Sequence, residues 1–488
     1  MTSSTHTTSE AAGERGIEPK PPTPPRTCSA HGMIHRLHTI AGLFVAPLLL
    51  VAALTGLLYS VAPTLEQIVY RDVLTAESPE QNYPVGSQIE IAQRVKPDLN
   101  FSAVEVPEQP GQTTRVLFDD PSLPSSSYRQ AVFVDPSNLT VTGNLVQYGS
   151  AQALPLRAWI SEGHRRLWLG EPGRVYSETA ASWLGILALA GAWLWWRRRQ
   201  RHKGKSTTGM RKRALSWHSA LGIWLLPGFL FLTATGLTWS LVAGANIGEV
   251  RSQLNWTEPT PAVTVSEGSG AESAAGTHAH HGHVMELPAE PVAVSEVDTV
   301  ISAARSAGLT GMIDVNAPTA EGGAWTVKES RQAYKLANDS VSVDGATGEI
   351  VDRVDYNADW PLAAKLSNWL IQLHMGTLFG PINQLVLAVI AVGLIAVICF
   401  GYRMWWLRGR GNRPGRLPAA GQWRRVHPAV LAGIVLFLLA YAVVAPLFGI
   451  SLVLFLLVDV VWQRLRRRKQ GAGARPGAGA RVSGAGPE

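Results

Sequence analysis

The sequence predicts a membrane all-α helical bundle: a four-helix core from an internal duplication, plus a C-terminal helical hairpin, with two small extracytoplasmic α+β modules. Three observations lead there. The 488 residues are 46% hydrophobic and only 16% charged, and the apolar residues gather in blocks. Basic residues flank these blocks on one side, while acidic residues sit in the long segments between them. A 23-residue pattern opening on histidine occurs twice, at 38–60 and at 218–240.

Taken in order, residues 1–30, with PPTPP, form a disordered tail without the charge–apolar–cleavage order of a secretory signal. Apolar blocks at about 39–62, 175–196, 217–243 and 382–402 each suit one helix across a bilayer core, which needs ~20 residues. The fifth block, 428–463, is too long for one untilted span, and Pro446 and Gly449 near its middle predict a tight hairpin. The resulting division is a first span (31–62), module 1 (63–152), an interfacial helix with the second span (153–199) and a basic loop (200–213). The third span (214–243), module 2 (244–358) and an interfacial helix with the fourth span (359–408) follow. A loop (409–427), the hairpin (428–464) and a low-complexity, disordered tail (465–488) complete the chain.

Segments 197–213, 403–425 and 464–469 are basic and free of acids, which places them and both termini in the cytoplasm. The acid-bearing segments 63–174 and 244–380 then face outside, as in a protein of the bacterial inner membrane. The net charge of +7 follows from this topology, and because the basic residues flank spans no nucleic-acid partner is indicated. Cys28 and Cys399 lie too far apart in topology for a disulfide framework. The chain has no GxGxxG after a strand, no Walker loop, no serine-nucleophile motif and no HExxH, which disfavours nucleotide-driven and protease chemistry.

The repeat is extensive. His38/His218, Gly42/Gly222, Pro47/Pro227, Thr55/Thr235, Gly56/Gly236 and Ser60/Ser240 share one offset of 180. WISEGHRRLWLG (159–170) and WLIQLHMGTLFG (369–380) match at an offset of 210, pairing His164 with His374. VFVDPSNLTVTG around Asp135 and VSVDGATGEIVD around Asp344 each read as a β-hairpin, and 86–96 and 295–309 as short amphipathic helices.

The combination HRLHTIAG (35–42), VSVDGATGE, LHMGTLFG (373–380) and WHSALG (217–222) resembles the PepSY-associated transmembrane-helix family over roughly residues 31–410. The resemblance implies a four-helix membrane core with extracytoplasmic PepSY modules. Members of that family include di-haem b-type ferric-siderophore reductases. The hairpin and the histidine-rich insert fall outside the pattern.

His38, His218, His164 and His374 thus supply two layers of two imidazoles, one near each membrane face, suited to bis-imidazole ligation of two b-type haems. Gly42 and Gly222, one turn after their histidines, leave room for a flat macrocycle, and Pro47 and Pro227 are expected to bend the helices. The Thr-Gly pairs suit close helix packing. Arg36, Arg165 and Arg166 adjoin the ligands, either as propionate partners or as interface anchors. His31, His35, His202 and His427 have no repeat partner, and His35 is the best substitute ligand. His278, His280, His281 and His283, in a loop at 277–284, suit weak binding of Cu, Zn or Ni. Glu178 and Asp459 are isolated acids near span ends, placed for a proton path or for snorkelling.

The leading expectation is a membrane electron-transfer protein, embedded in lipid, that takes electrons from a donor on the cytoplasmic or quinone side. The family resemblance implies that the acceptor outside is Fe(III) in a siderophore chelate, which would make the protein a ferric reductase. The alternatives are a haem-free PepSY accessory or sensor binding a peptide, protease or metal outside, and a metal-handling protein using the histidine-rich loop.

Overall fold

The computed structural model describes residues 30–78, 82–201, 209–264, 294–320, 322–409, 415, 417–418 and 421–472. Residues 1–29 and 473–488, Cys28, His202 and the loop 277–284 lie outside the described residues, whereas 465–472, expected to open the disordered tail, continue the last helix. The chain enters through α1 (His31–Val69), turns at α2 (Arg71–Leu74) and builds α3 (Val85–Val95) with strands β1 (Asn100–Val106), β2 (Thr114–Asp119), β3 (Tyr128–Val134) and β4 (Val141–Tyr148). It returns through α4 (Pro155–Arg166) and α5 (Glu171–Arg201), then runs through α6 (Met210–Trp224), α7 (Leu226–Thr238) and α8 (Val242–Gln253). The second half-module comprises α9 (Val297–Ser306), β5 (Ile313–Asn316), β6 (Trp325–Glu329), β7 (Ser340–Val343), β8 (Ile350–Val354) and α10 (Tyr356–Asp359). Helices α11 (Leu362–Met375), α12 (Gly380–Trp406), α13 (Pro428–Val444) and α14 (Pro446–Ala472) follow.

Four described helices, α1, α5, α12 and α14, are long and apolar enough to cross a membrane, and α6 with α7 form a fifth candidate bent by 57°. Helix α13 is apolar but has 17 residues. That is about 25 Å of helix, shorter than the ~30 Å hydrocarbon layer. In the core α1 touches α5 and α12, α6 touches α12, and α7 touches α5. Helices α1 and α6/α7 therefore face each other diagonally. Val45, Leu49, Trp183, Leu187, Phe229, Ile390 and Leu394 fill the space between.

The two repeat-related prolines behave differently. Proline has no N–H to give the carbonyl four residues back. In α1 the helix continues unbroken through Pro47, and the Tyr402 hydroxyl of α12 donates to the Leu43 carbonyl at 2.9 Å in place of the missing amide. At Pro227 the expected single span separates into α6 and α7 at Leu225. The Leu225 side chain drops onto Gly393, where an added Cβ would lie 2.1 Å from Leu225 Cδ1.

Two isolated acids find structural partners. Glu178 of α5 is buried and accepts from the Val242 and Ala243 amides at 2.8 and 3.1 Å, capping the N-terminus of α8. Asp459 of α14 ion-pairs with Arg36 of α1. The hairpin is held further by Trp183 Nε1 donating to Ser451 Oγ at 2.9 Å and by the Tyr441 hydroxyl donating to the Ser182 carbonyl at 2.9 Å.

The modules are not separate. Their strands form one antiparallel eight-stranded sheet of order β4-β3-β2-β1-β5-β6-β7-β8. Standing apart, β1 and β5 would each be an exposed edge; pairing from Ala103↔Asn316 to Val106↔Ile313 removes both edges. Helices α3 and α9 fall where the amphipathic periodicity predicts them and cover one face, packing Ile89, Val297 and Val300 against Val104, Val116, Val315 and Val327. Asp135 and Asp344 sit in the β3–β4 and β7–β8 turns and accept from Ser137 N and Ala346 N at 2.8 and 2.9 Å.

On the opposite face Glu105 and Asp314 stand side by side across β1/β5. Gln147 donates to Glu105 at 2.5 Å, and Ser330 donates to Asp314 at 2.5 Å. Burial pushes the Glu105 carboxyl up to about 7 against the pull of Arg115, and burial raises Asp314 as well. Between the ordinary carboxylate range and pH 7 the folded chain therefore binds more protons than the unfolded chain, so stability falls as pH rises through that window.

Two measurements follow. Thermal unfolding in detergent should show a lower midpoint at pH 8 than at pH 5, with the difference shrinking in Glu105→Gln; an unchanged difference contradicts the assignment. Tyr402→Phe orphans the Leu43 carbonyl and should cost about 0.6–1.7 kcal/mol. Adding Pro47→Ala restores an amide there, so the double variant should recover part of that loss, whereas simple additivity contradicts the rescue.

Candidate functional site

His38 on α1 and His218 on α6 face each other across the diagonal, with ring centroids 6.2 Å apart and planes at 76°. Each imidazole is seated against a glycine of a third helix. A Cβ at Gly191 of α5 would lie 3.1 Å from His38 Cε1, and one at Gly401 of α12 would lie 3.6 Å from His218 Cε1. His218 Nδ1 lies 2.9 Å from the Val397 carbonyl. A carbonyl only accepts, so Nδ1 carries the proton and Nε2 keeps its lone pair. His38 Nδ1 is turned toward the α5 backbone at Leu187 without closing a hydrogen bond of normal geometry.

His164 and His374 are placed by α4 and α11, which pack on the sheet-side ends of α1 and α7. Glu66 of α1 anchors α4, accepting from the Leu154 amide at 2.7 Å and pairing with Arg157 at 3.4 Å. Helix α4 ends at Leu167 with φ of 51°, and Gly163 gives way to the Trp168 ring, whose Cζ2 would lie 2.2 Å from a Cβ there. Helix α11 ends at Gly376 with φ of 77°, and Asn383 Nδ2 donates to the Leu373 carbonyl at 2.9 Å. A bulky residue at 163 or an ordinary residue at 376 would displace the adjoining histidine helix.

These two imidazoles reach into the bundle at repeat-related residues. His164 Nδ1 lies 3.1 Å from Thr55 Oγ1, and His374 Nδ1 lies 2.7 Å from Thr235 Oγ1. The His164 ring also rests over Gly56, where a Cβ would lie 3.0 Å from Cε1. Burial, and after it the Arg165 guanidinium, pushes His164 down to about 4; burial, and after it the charge of His164, does the same to His374. Both are neutral at pH 7, the state in which an imidazole can bind a metal. Thr55 follows His38 by seventeen positions along the unbroken α1, about 25 Å of helix rise, and Thr235 follows His218 by the same number across the bend between α6 and α7.

Of the four histidines singled out by the repeat, His38 and His218 face each other directly, while His164 and His374 each meet a repeat-related threonine of the bundle. Other candidates are engaged elsewhere. His35 Nε2 faces the Arg408 guanidinium at 3.2 Å, and its ring stacks on His31 at 6.1 Å. Arg36 is taken by Asp459 and Arg166 by Glu162 at 3.6 Å. Arg165 donates to the Tyr148 hydroxyl and lies 5.7 Å over that ring. Among the described residues no group of three or more His, Cys, Asp or Glu side chains could hold a metal ion. His278, His280, His281 and His283 lie outside the described residues. Spacing did not assign Gly191, Gly401 or the hydroxyls of Thr55 and Thr235 to the site; the matched Thr-Gly pairs were the signal, read as packing.

Long apolar helices with a sheet at one end define a helical integral membrane protein. The profile described as the PepSY-associated TM region matches residues 35–408, and the chain belongs to that family. No curated protein matches the chain.

Gly56→Val should push His164 off Thr55 and cost about 1–3 kcal/mol by overpacking. A Cβ at Gly42 meets nothing within 4 Å, so Gly42→Ala should leave the thermal midpoint nearly unchanged. Equal effects of the two substitutions contradict the seating of His164.

Proposed function

We propose that the protein binds two b-type haems and moves electrons across the membrane, from a donor on the cytoplasmic or quinone side to Fe(III) in a chelate, such as a siderophore complex, outside. The observations that carry this reading are the facing imidazoles of His38 and His218 and the two buried imidazoles of His164 and His374, each held at a threonine seventeen positions along from His38 or His218. On this reading the two halves arose by duplication. The basic segments and both termini face the cytoplasm of a bacterial inner membrane, and the sheet faces outward.

The inner pair fits the group. Two imidazoles binding one metal at ~2 Å each place their ring centroids roughly 6 Å apart, and those of His38 and His218 are 6.2 Å apart. Nothing lies within 4 Å of a Cβ at Gly42 or Gly222, so open space adjoins both histidines one turn along. His38 and His218 would hold the inner haem, and His164 and His374 the outer one. When bound, the haems supply one-electron redox chemistry, so each Fe(III) reduced to Fe(II) is matched by one electron withdrawn from the donor.

The chain's own residues set the conditions. Four imidazoles hold positions on four different helices, and the apolar core around Val45, Leu49, Leu187 and Leu394 keeps water from the path between the layers. Arg165 is held on the Tyr148 hydroxyl and ring, beside the outer histidine His164. The hairpin α13–α14, outside the matched region, clamps α5 and α1 through Trp183 and Arg36.

Purified protein should show a Soret band and sharp bands on reduction. His218→Ala and His374→Ala should each lose about half the haem measured as the pyridine haemochrome, which follows from two independent bis-imidazole sites. Full retention in both variants overturns the ligand assignment.

A further inference from the structure

We propose that Thr55 and Thr235 are the positioning residues of the outer histidine pair: each hydroxyl fixes the proton of its partner imidazole on Nδ1 and so presents Nε2 for ligation. The inference rests on the haem reading and extends it to residues that touch neither metal nor substrate.

The argument is a count of protons. A threonine hydroxyl has one donor hydrogen and two acceptor lone pairs. Thr55 Oγ1 lies 2.9 Å from the Val51 carbonyl and 3.1 Å from that of Ala52; Thr235 Oγ1 lies 2.7 Å from the Phe231 carbonyl. Carbonyls only accept, so each hydroxyl hydrogen is committed to its own helix. The remaining contact, to His164 Nδ1 or His374 Nδ1, must then be one in which the imidazole donates and the hydroxyl accepts. Both rings are thereby fixed as the Nδ1–H tautomer with the Nε2 lone pair exposed. A metal-bound histidine ordinarily has its other nitrogen oriented in this way, and such partners set both ring position and ligand basicity.

The device is specific to one layer. Among the described residues the inner pair has no hydroxyl partner: His218 uses the Val397 carbonyl, and His38 Nδ1 closes no hydrogen bond. Replacing the threonines should therefore disturb the outer haem alone. Valine matches threonine in shape but cannot accept, which leaves Nδ1–H unpaired in a buried site or moves the proton to Nε2, where it blocks ligation. Serine keeps the hydroxyl and its bond to the preceding turn. A weaker acceptor on Nδ1–H also makes the imidazole less basic, which favours Fe(II) and raises the potential of whatever outer haem is retained.

The test uses the full-length protein purified with its haem. Haem content and a spectroscopic redox titration are compared for wild type, Thr55→Val, Thr235→Val and the two serine variants. The component lost in His374→Ala identifies the outer haem. The valine variants should bind the outer haem about 10- to 100-fold more weakly, or hold it at a raised potential, with the inner component unchanged; the serine variants should behave as wild type. Unchanged behaviour of the valine variants, equal movement of both components, or failure of serine to restore wild-type behaviour overturns the proposal. Wild-type protein without haem overturns the functional reading instead. The ¹⁵N spectrum of its histidines then decides the positioning role: Nδ1–H on His164 and His374 in wild type, with its loss in the valine variants, supports it, and Nε2–H in wild type overturns it.

Discussion

A buried imidazole is placed by the polar partner its ring nitrogens find. The hydroxyl–imidazole contacts of Thr55 with His164 and of Thr235 with His374 supply that partner. They also join two interfacial helices to two spans at matched repeat positions. Helices α4 and α11 are short and amphipathic, and alone they would have no fixed depth. Tied at their histidines to α1 and α7, they close the sheet-side end of the bundle and set the level at which a ligand can be held.

The rest of the scaffold keeps those levels constant. Helix α1 carries both His38 and Thr55, and between them the Tyr402 hydroxyl satisfies the Leu43 carbonyl that Pro47 leaves without an amide. Across the diagonal, α6 and α7 do bend at Leu225, and Gly393 takes up the displaced side chain. The two halves thus correspond in their donors and not in their backbones. Glu178 fixes the start of α8, and the Arg36–Asp459 pair fixes α14 against α1. Both acids serve packing, and neither is left to carry protons alone.

Periodicity and repeat spacing made much of this legible. Apolar block lengths located the long helices, the Asp-centred turns located the hairpins, and equal offsets picked out the four histidines. What stayed hidden depends on contacts between distant parts of the chain. Arg36 and Asp459 are 423 residues apart, and no local pattern connects them. The β1–β5 pairing that merges two modules into one sheet satisfies two strand edges at once, which neither half shows by itself. Thr55 and Thr235 were visible as small repeated residues, but a hydroxyl used for helix packing and one used to hold an imidazole look alike in sequence. His35 shows the reverse: one turn from His38, it is an attractive ligand by spacing, yet its Nε2 faces Arg408.

The central claim is that iron sits between these imidazoles. It is tested most directly by the haem-to-chain ratio of wild-type protein, purified from cells supplied with haem and titrated with reductant while its absorbance is followed. The account predicts two haems per chain, both low-spin and reduced in two resolvable one-electron steps. A protein that purifies intact and colourless, or that carries a single haem insensitive to substitution at either histidine pair, contradicts it.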